Sequence, residues 1–298
     1  IVCDNSSSNN SNGKRNLSNI NGSSRKTKRC KTNSNTFNDE VDLSLGARKL
    51  FEDGLNHEII VNSKFFTPLK YQTMVEASAY GGFELAIGYC HLYGLGNFDK
   101  DEKKGYNIIN KYIKTNKDDS LAQYLMGRMY FFGYGVTKDD KKAVEWYTKA
   151  AEQGNAKAQF YLGFLYRIGQ AVNQDYHQAY RWYLLSAEQG YAEAQYKIGL
   201  MYYKGQVVKK NFQKAFDWYS LAAKQQNPKA QFNLGVLYRR AQGVTRDNKK
   251  ALDWFLAAGK QGYAIAQFTV GVIYANGQGV VRDYQKAFNW YLLAAEQG

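Results

Sequence analysis

The chain has 298 residues, of which 44% are hydrophobic and 15% aromatic, enough for a sizeable folded core. Its formal net charge of +14 permits anionic partners, but no recognised nucleic-acid-binding motif accompanies the charge, so we do not expect a nucleic-acid partner. The three cysteines are widely separated and odd in number, which argues against a disulfide framework and favours an intracellular location. No apolar run approaches the roughly 18 residues that a membrane span requires.

The first part of the chain differs in composition from the rest. Residues 1–38 are rich in Asn and Ser, bury too little apolar surface to offset the entropy of ordering, and are predicted to be a disordered tail. Within them, residues 25–31 contain five basic side chains, which favours either a nuclear localisation signal or a plain solvated tail of a cytoplasmic protein. Residues 39–66 carry a short apolar pattern ending at Leu50 and Phe51, which predicts a linker, a weak helix or a linear motif that docks elsewhere.

From residue 67 onward the chain repeats itself. Its five tryptophans follow one another every 36 residues, and Gln, Gly, Tyr and Ala residues recur at the same interval. A fixed period of this length is typical of a solenoid, in which one supersecondary unit is copied and stacked. We predict five clear repeats over 117–298 and degenerate repeats over 67–116, where Gly88 is in frame and Ile108 holds the tryptophan position. The tryptophans are Trp146, Trp182, Trp218, Trp254 and Trp290.

Each copy is predicted to form two helices, A and B, joined by a loop that contains glycine. An Asp or Asn, such as Asp175, precedes helix B, where it can accept hydrogen bonds from the N–H groups that open the helix. A Gly inside each helix A predicts a close backbone approach at the helix crossing. The tryptophans are predicted to fill the space between neighbouring helices, together with Ala143 and Ala150 on one stripe, so Trp218→Ala should cost roughly 3–5 kcal/mol.

The fixed positions of the second clear copy form one motif. They are Leu162-Gly163, Tyr166, Gly169, Asp175, Ala179, Trp182-Tyr183 and Ala187-Glu188-Gln189-Gly190. This motif resembles the Sel1-like repeat, a helical repeat related to the tetratricopeptide family. The resemblance implies an all-α fold, a right-handed solenoid superhelix of antiparallel helix pairs with a 36-residue repeat.

The same resemblance implies a function. Similar proteins are adaptors that assemble multiprotein complexes in signalling, stress responses and protein degradation, so we expect a non-enzymatic scaffold. The alternative is the regulatory repeat region of a larger signalling enzyme, such as a kinase, whose catalytic domain is absent from this chain. The last copy ends like an internal one, without a polar capping element, so we also expect further protein beyond residue 298.

Catalytic, metal-binding and cofactor-binding sites have little support in the sequence. The histidines His57, His91 and His177 lack the spacing of metal ligands. The Gly-x-Gly turns recur between the helices of several copies, which indicates a repeat loop rather than a phosphate-binding loop. Cys90 and His91 are adjacent, but neighbours on a helix point about 100° apart. We therefore predict no catalytic residue, no metal and no cofactor.

The positions that differ between copies indicate a binding surface. On helix A they fall at i, i+3 and i+7, on one face, which the tetratricopeptide resemblance places in the concave groove. Apolar side chains rimmed by basic ones would suit a protein or peptide segment, including an acidic one. The alternative is that some of them, such as Phe164, pack against the next repeat. The predicted binding residues are Leu125, Arg128, Phe132, Tyr161, Phe164, Arg167, Ile168, Lys197, Lys204, Arg239 and Arg240.

Overall fold

The computed structural model describes residues 47–49, 51–52, 59–61, 64–66, 78–79 and 83–297. The predictions for the tail at 1–38, including its basic run, therefore lie outside the described residues. Before the repeats, two strands, β1 (Ile59–Val61) and β2 (Lys64–Phe66), pair antiparallel with Ile59 opposite Phe66. This hairpin was not predicted, although three successive β-branched residues at 59–61 favour a strand.

Residues 83–297 form twelve α-helices, arranged as six pairs of one helix A and one helix B. The A helices are α1 (Glu84–Tyr93), α3 (Ser120–Phe132), α5 (Ala156–Ile168), α7 (Ala192–Lys204), α9 (Pro228–Arg240) and α11 (Ala264–Asn276). The B helices are α2 (Glu102–Thr115), α4 (Asp140–Glu152), α6 (Tyr176–Glu188), α8 (Phe212–Lys224), α10 (Asn248–Lys260) and α12 (Tyr284–Ala295). Each helix packs on its own partner and on the next helix in the chain, which confirms the predicted solenoid of helix pairs.

The predicted caps determine where the helices begin and end. Each B helix of the five clear repeats begins after an Asp or Asn whose side chain accepts a backbone N–H bond, as Asp175 does from His177 and Gln178. Most A helices end at a glycine in the left-handed region, such as Gly169 with φ of 71°. Ala241 takes this position in the fourth clear repeat, with φ of 54°, where a Cβ is strained.

The buried stripe of helix B differs from the predicted one. Its central side chains are Tyr147, Tyr183, Tyr219 and Phe255, each one residue after a tryptophan and fully buried. The tryptophans themselves are half-buried and pack against the edge of the core. The stripe is therefore Ala143, Tyr147 and Ala150, at i, i+4 and i+7, and the prediction that Trp146 shares it was wrong.

The glycine inside helix A explains why the following aromatic residue takes the central position. A Cβ added to Gly127 would lie 2.5 Å from Cδ1 of Tyr147. At Gly163 it would lie 3.0 Å from Cδ1 of Tyr183 and 3.1 Å from the carbonyl oxygen of Ala179. The predicted close approach is thus mainly that of an aromatic ring to a bare helix backbone, which locks helix B onto helix A.

A ladder of glutamines links the repeats and accounts for the Gln frame in the sequence. Gln189 Nε2 donates to Gln159 Oε1 at 2.7 Å, joining the end of helix B to its own helix A. Gln159 Nε2 in turn donates to the carbonyl oxygen of Ala151 at 3.1 Å, in the preceding helix B. The first of these bonds recurs as Gln153–Gln123, Gln225–Gln195, Gln261–Gln231 and Gln297–Gln267. The buried amides are therefore satisfied at each repeat boundary.

Candidate functional site on the A helices

All predicted binding residues lie on A helices, and we call the surface that they define the A-helix face. In its first part, this face is filled by the chain itself. Leu125, Arg128 and Tyr161 are buried, with Arg128 only 2% exposed. The Tyr161 ring stacks on Tyr147 at 5.2 Å with an interplanar angle of 8°. The assignment of Leu125, Arg128 and Tyr161 to partner binding was therefore wrong, because all three are buried and rings of α1, α3 and α4 surround Arg128 and Tyr161.

Arg128 is stabilised inside this aromatic layer. Its guanidinium lies 5.6 Å from the ring centroid of Tyr93 and 5.8 Å from that of Tyr124, distances that allow cation–π attraction. Its Nη2 also donates a hydrogen bond to the Tyr93 hydroxyl at 2.7 Å. Burial raises the pKa of the Tyr161 hydroxyl well above its usual value, so this ring stays neutral. These contacts assign Arg128 a structural role.

Four predicted residues lie at the edge of the aromatic layer. Phe132, Phe164 and Arg167 are half-buried, and Ile168 is 36% exposed. The Phe164 ring meets Phe131 of α3 edge-on at 6.3 Å, which supports the alternative that Phe164 packs against a neighbouring repeat. The Arg167 guanidinium lies 5.2 Å from the Phe164 ring centroid. The usable surface therefore begins at Arg167 and Ile168.

Beyond α5 the A-helix face is basic. Lys204 and Arg240 are exposed at the ends of α7 and α9, and Lys197 is half-buried in the middle of α7. Arg240 Nη1 reaches the Tyr203 hydroxyl at 3.4 Å, a long contact that leaves the guanidinium largely in solvent. Arg239 lies 5.7 Å from the Phe255 ring centroid, so part of its role is to cover the core. We call Arg167, Lys197, Lys204 and Arg240 the basic cluster.

The pKa of Lys197 reflects the charges that surround it in the basic cluster. The pKa of Lys197 is lowered to about 8, mainly by burial; the Glu193 carboxylate raises it, and the positive charges of Arg167, Lys229 and Lys204 lower it. The Glu193 carboxylate also accepts a hydrogen bond from Asn227 Nδ2 at 2.9 Å. Three A helices thus bring several positive charges together around Lys197, with the Glu193 carboxylate opposing them, and a bound anion would further favour protonated Lys197.

Cys90 and His91, which the sequence offered as possible catalytic residues, pack within the fold. Cys90 is buried, and His91 Nδ1 lies 3.0 Å from the Asp99 carbonyl oxygen while its ring meets Phe98 edge-on at 5.2 Å. Across the described ranges, no three His, Cys, Asp or Glu side chains gather as a metal ion would require. In the same part of the chain, no helix is both long enough and apolar enough to cross a membrane.

Comparison with known proteins places the helix pairs in a family. The model of the Sel1 repeat matches six segments: residues 83–108, 120–155, 156–191, 192–227, 228–263 and 264–298. The first segment covers α1 and the start of α2, so the degenerate copy that holds Gly88 and Ile108 is itself a repeat of this family. The other five segments each contain one complete A–B pair.

Solved structures and a curated relative agree with this assignment. A Sel1 repeat protein from Oxalobacter formigenes is 34% identical with a TM-score of 0.61, over 66% of this chain and 81% of that one. The protein c5321, a protective antigen of uropathogenic Escherichia coli with an SLR fold, is 29% identical with a TM-score of 0.62, over 89% of this chain and 57% of that one. A sel1-like repeat-containing protein, L18, of Acanthamoeba polyphaga mimivirus is 29% identical over 118 residues, which are 36% of this chain and 18% of that relative. The chain thus spans under a fifth of the curated relative, but the family matches cover most of the chain itself, and it belongs to the Sel1 repeat family.

Proposed function

We propose that this chain is a non-enzymatic scaffold that binds an acidic peptide or protein segment along the A-helix face between α5 and α9. Sel1 repeat proteins are helical scaffolds of a kind that typically mediates protein interactions and is generally non-catalytic. The observation that carries the finer proposal is the basic cluster, where several positive charges surround Lys197 and the carboxylate that opposes them is that of buried Glu193. A carboxylate from a partner would supply a second negative charge.

The degree of burial makes the interaction worth more than a surface ion pair. Exposed pairs contribute about 0–1 kcal/mol, because water and salt screen them. Lys197 is half-buried and already desolvated, so a carboxylate beside it gains more from the attraction and pays less to remove water. Half-buried Leu200 and Val236, with exposed Ile168, provide apolar contacts next to the charges. A segment that mixes acidic and apolar side chains fits this surface best.

A peptide array tests the proposal. The probes are peptides that alternate Asp or Glu with Leu or Phe, each paired with a copy carrying Asn or Gln in place of the acids. We expect the chain to retain the acidic members and Lys197→Ala to weaken them by about tenfold. Lys224→Ala, an exposed lysine at the end of α8, is the matched control and should change little. Equal retention of acidic and amide peptides would refute the proposal.

The alternative of a regulatory region within a larger signalling enzyme stays a prediction.

A further inference from the structure

A short segment outside the repeat array is docked onto the first repeats. Phe51 is fully buried, and its ring meets Phe83 and Tyr89 edge-on, each at 5.6 Å. The Arg48 guanidinium reaches the Asp119 carboxylate, with Nη1 to Oδ2 at 2.7 Å and Nη2 to Oδ1 at 3.3 Å. Phe83 directly precedes α1 and Asp119 directly precedes α3, so the segment spans the starts of two A helices.

Asp119 is the centre of this contact. Its carboxylate also accepts hydrogen bonds from the Tyr112 hydroxyl at 3.0 Å and from the backbone N–H groups of Leu121 and Ala122 at 2.9 and 3.1 Å. The Asp119 side chain is only 6% exposed, which strengthens a two-pronged pair with a guanidinium. Arg48 Nε donates to Glu52 at 2.8 Å, which holds the guanidinium in the orientation that Asp119 requires.

Three departures from the repeat frame coincide at this place. Phe83 stands where the later copies have alanine: Ala122, Ala158, Ala194, Ala230 and Ala266. Tyr112 stands where they have a small residue: Ala150, Ser186, Ala222, Ala258 and Ala294. Asp119 stands where they have an uncharged one: Asn155, Tyr191, Asn227 and Tyr263. The later repeats stack without Phe83 and Tyr112 at five equivalent places and without Asp119 at four, so stacking alone does not account for these side chains.

The departures form one socket, which we define as Phe83, Tyr89, Tyr112 and Asp119. Its aromatic members receive a ring, and its buried carboxylate receives a guanidinium. Arg48 and Phe51 are three positions apart and both lie in helical backbone, and their side chains enter the socket together. Helices α2 and α3 pack less extensively than the later junctions between a helix B and the next helix A. A contact that bridges the two repeats at this junction therefore adds stability where the stack is weakest.

We propose that the socket is a recognition site for a helical turn of the form Arg-x-x-Phe, occupied in cis by Arg48 and Phe51 of the same chain. When Arg48 and Phe51 occupy the socket, they hold the first repeat against the second. When the cis turn is withdrawn, the socket accepts the same motif from a separate molecule. The tether keeps the cis turn at an effective concentration of about millimolar, so a separate motif binds measurably only after the cis turn is removed.

The test uses the full chain with Arg48→Ala and Phe51→Ala and a labelled peptide that corresponds to residues 42–56. Fluorescence anisotropy should show the peptide binding this variant at least about tenfold more tightly than it binds the native chain. Peptides that lack the arginine or the phenylalanine should bind the variant about tenfold more weakly, whereas a peptide with exposed Lys49 changed to Ala should bind unchanged. A folded variant that binds all these peptides alike, or binds none, overturns the proposal.

Asp119→Asn provides a second test that does not depend on the cavity left at Phe51. Asparagine caps α5 and α9 at the equivalent positions, so the helix start should survive while the charge is lost. Added to the empty-socket variant, Asp119→Asn should weaken the peptide by about tenfold, whereas added Lys197→Ala should not. Unchanged peptide affinity with Asp119→Asn would also overturn the proposal, and neither result depends on binding at the basic cluster.

Discussion

Replacing the aromatic side chain that rests on the helix-A glycine should destabilise the solenoid more than replacing the adjacent tryptophan. Tyr219 is fully buried, and its ring covers Gly199, where an added Cβ would lie 2.7 Å from Cδ1. Tyr219→Ala leaves a cavity between α7 and α8 and should cost about 3–5 kcal/mol, as large core truncations do. Trp218 keeps part of its surface exposed at the edge of the core, so Trp218→Ala leaves a smaller enclosed cavity and should cost less, about 2 kcal/mol.

The hydroxyl of Tyr219 allows a sharper comparison. It is buried without a hydrogen-bond partner among the described residues, and burial raises its pKa far above the usual value. Tyr219→Phe removes a polar atom that gains nothing in the folded state, so it should be neutral or stabilising by up to about 1 kcal/mol. Phe255 occupies the equivalent position in the next repeat and shows that a phenyl ring fits.

Urea unfolding followed by circular dichroism measures these three variants without relying on tryptophan fluorescence. Because a repeat array can unfold in parts, amide hydrogen exchange in α7 and α8 should accompany it and report the local free energy of opening. A Trp218→Ala variant that loses as much stability as Tyr219→Ala would refute the assignment of the central position. A large loss of stability in Tyr219→Phe would instead contradict the comparison based on an unpartnered hydroxyl.

Other predictions follow from single contacts. Gly199→Ala should destabilise despite its better helix propensity, because the new Cβ meets the Tyr219 ring; a raised melting temperature would contradict this. Ala241→Gly should stabilise the fold by about 0.5–1 kcal/mol, because glycine relieves the strain of a φ of 54°. Ala257→Gly, inside α10, should destabilise the fold by about 1 kcal/mol. If both variants shift the urea midpoint in the same direction, this reasoning is wrong. Affinity for an acidic peptide should fall as the pH rises through about 8, where Lys197 loses its proton, and Lys197→Ala should lack that dependence in a titration from pH 7 to 9.

The fold could be predicted from the sequence because its signals are local and repeated. Asp175 and its counterparts mark the start of helix B, and the glycines mark helix ends. Periodicity could not show whether Trp146 or Tyr147 is central, because both positions recur every 36 residues. The distinguishing signal was the helix-A glycine, which leaves space for one ring only. Because the Tyr147 ring, one turn after Ala143, fills that space, Trp146 lies at the edge of the core.

The candidate site could be predicted only in part. Variation between copies selected Lys204, which is exposed, and Lys197, which is half-buried, but it gave the same weight to Arg128, which is buried. Whether a variable residue faces solvent depends on the size of its neighbours in adjacent repeats, and the rings of α1, α3 and α4 close that part of the face. The Arg48–Asp119 pair joins residues 71 positions apart, which no pattern within one repeat can show.

The binding of an acidic peptide to two chains of equal net charge tests the central claim most directly. One chain carries Lys197→Ala and Lys204→Ala in the basic cluster, and the other carries Lys224→Ala and Lys249→Ala on B helices, where both lysines are exposed. Calorimetry with the best acidic peptide from the array, at physiological salt, gives the two dissociation constants. We predict a loss of about tenfold or more for the first chain and little change for the second. An equal loss for both chains would show that the peptide responds to net charge alone, and would contradict a site on the A-helix face.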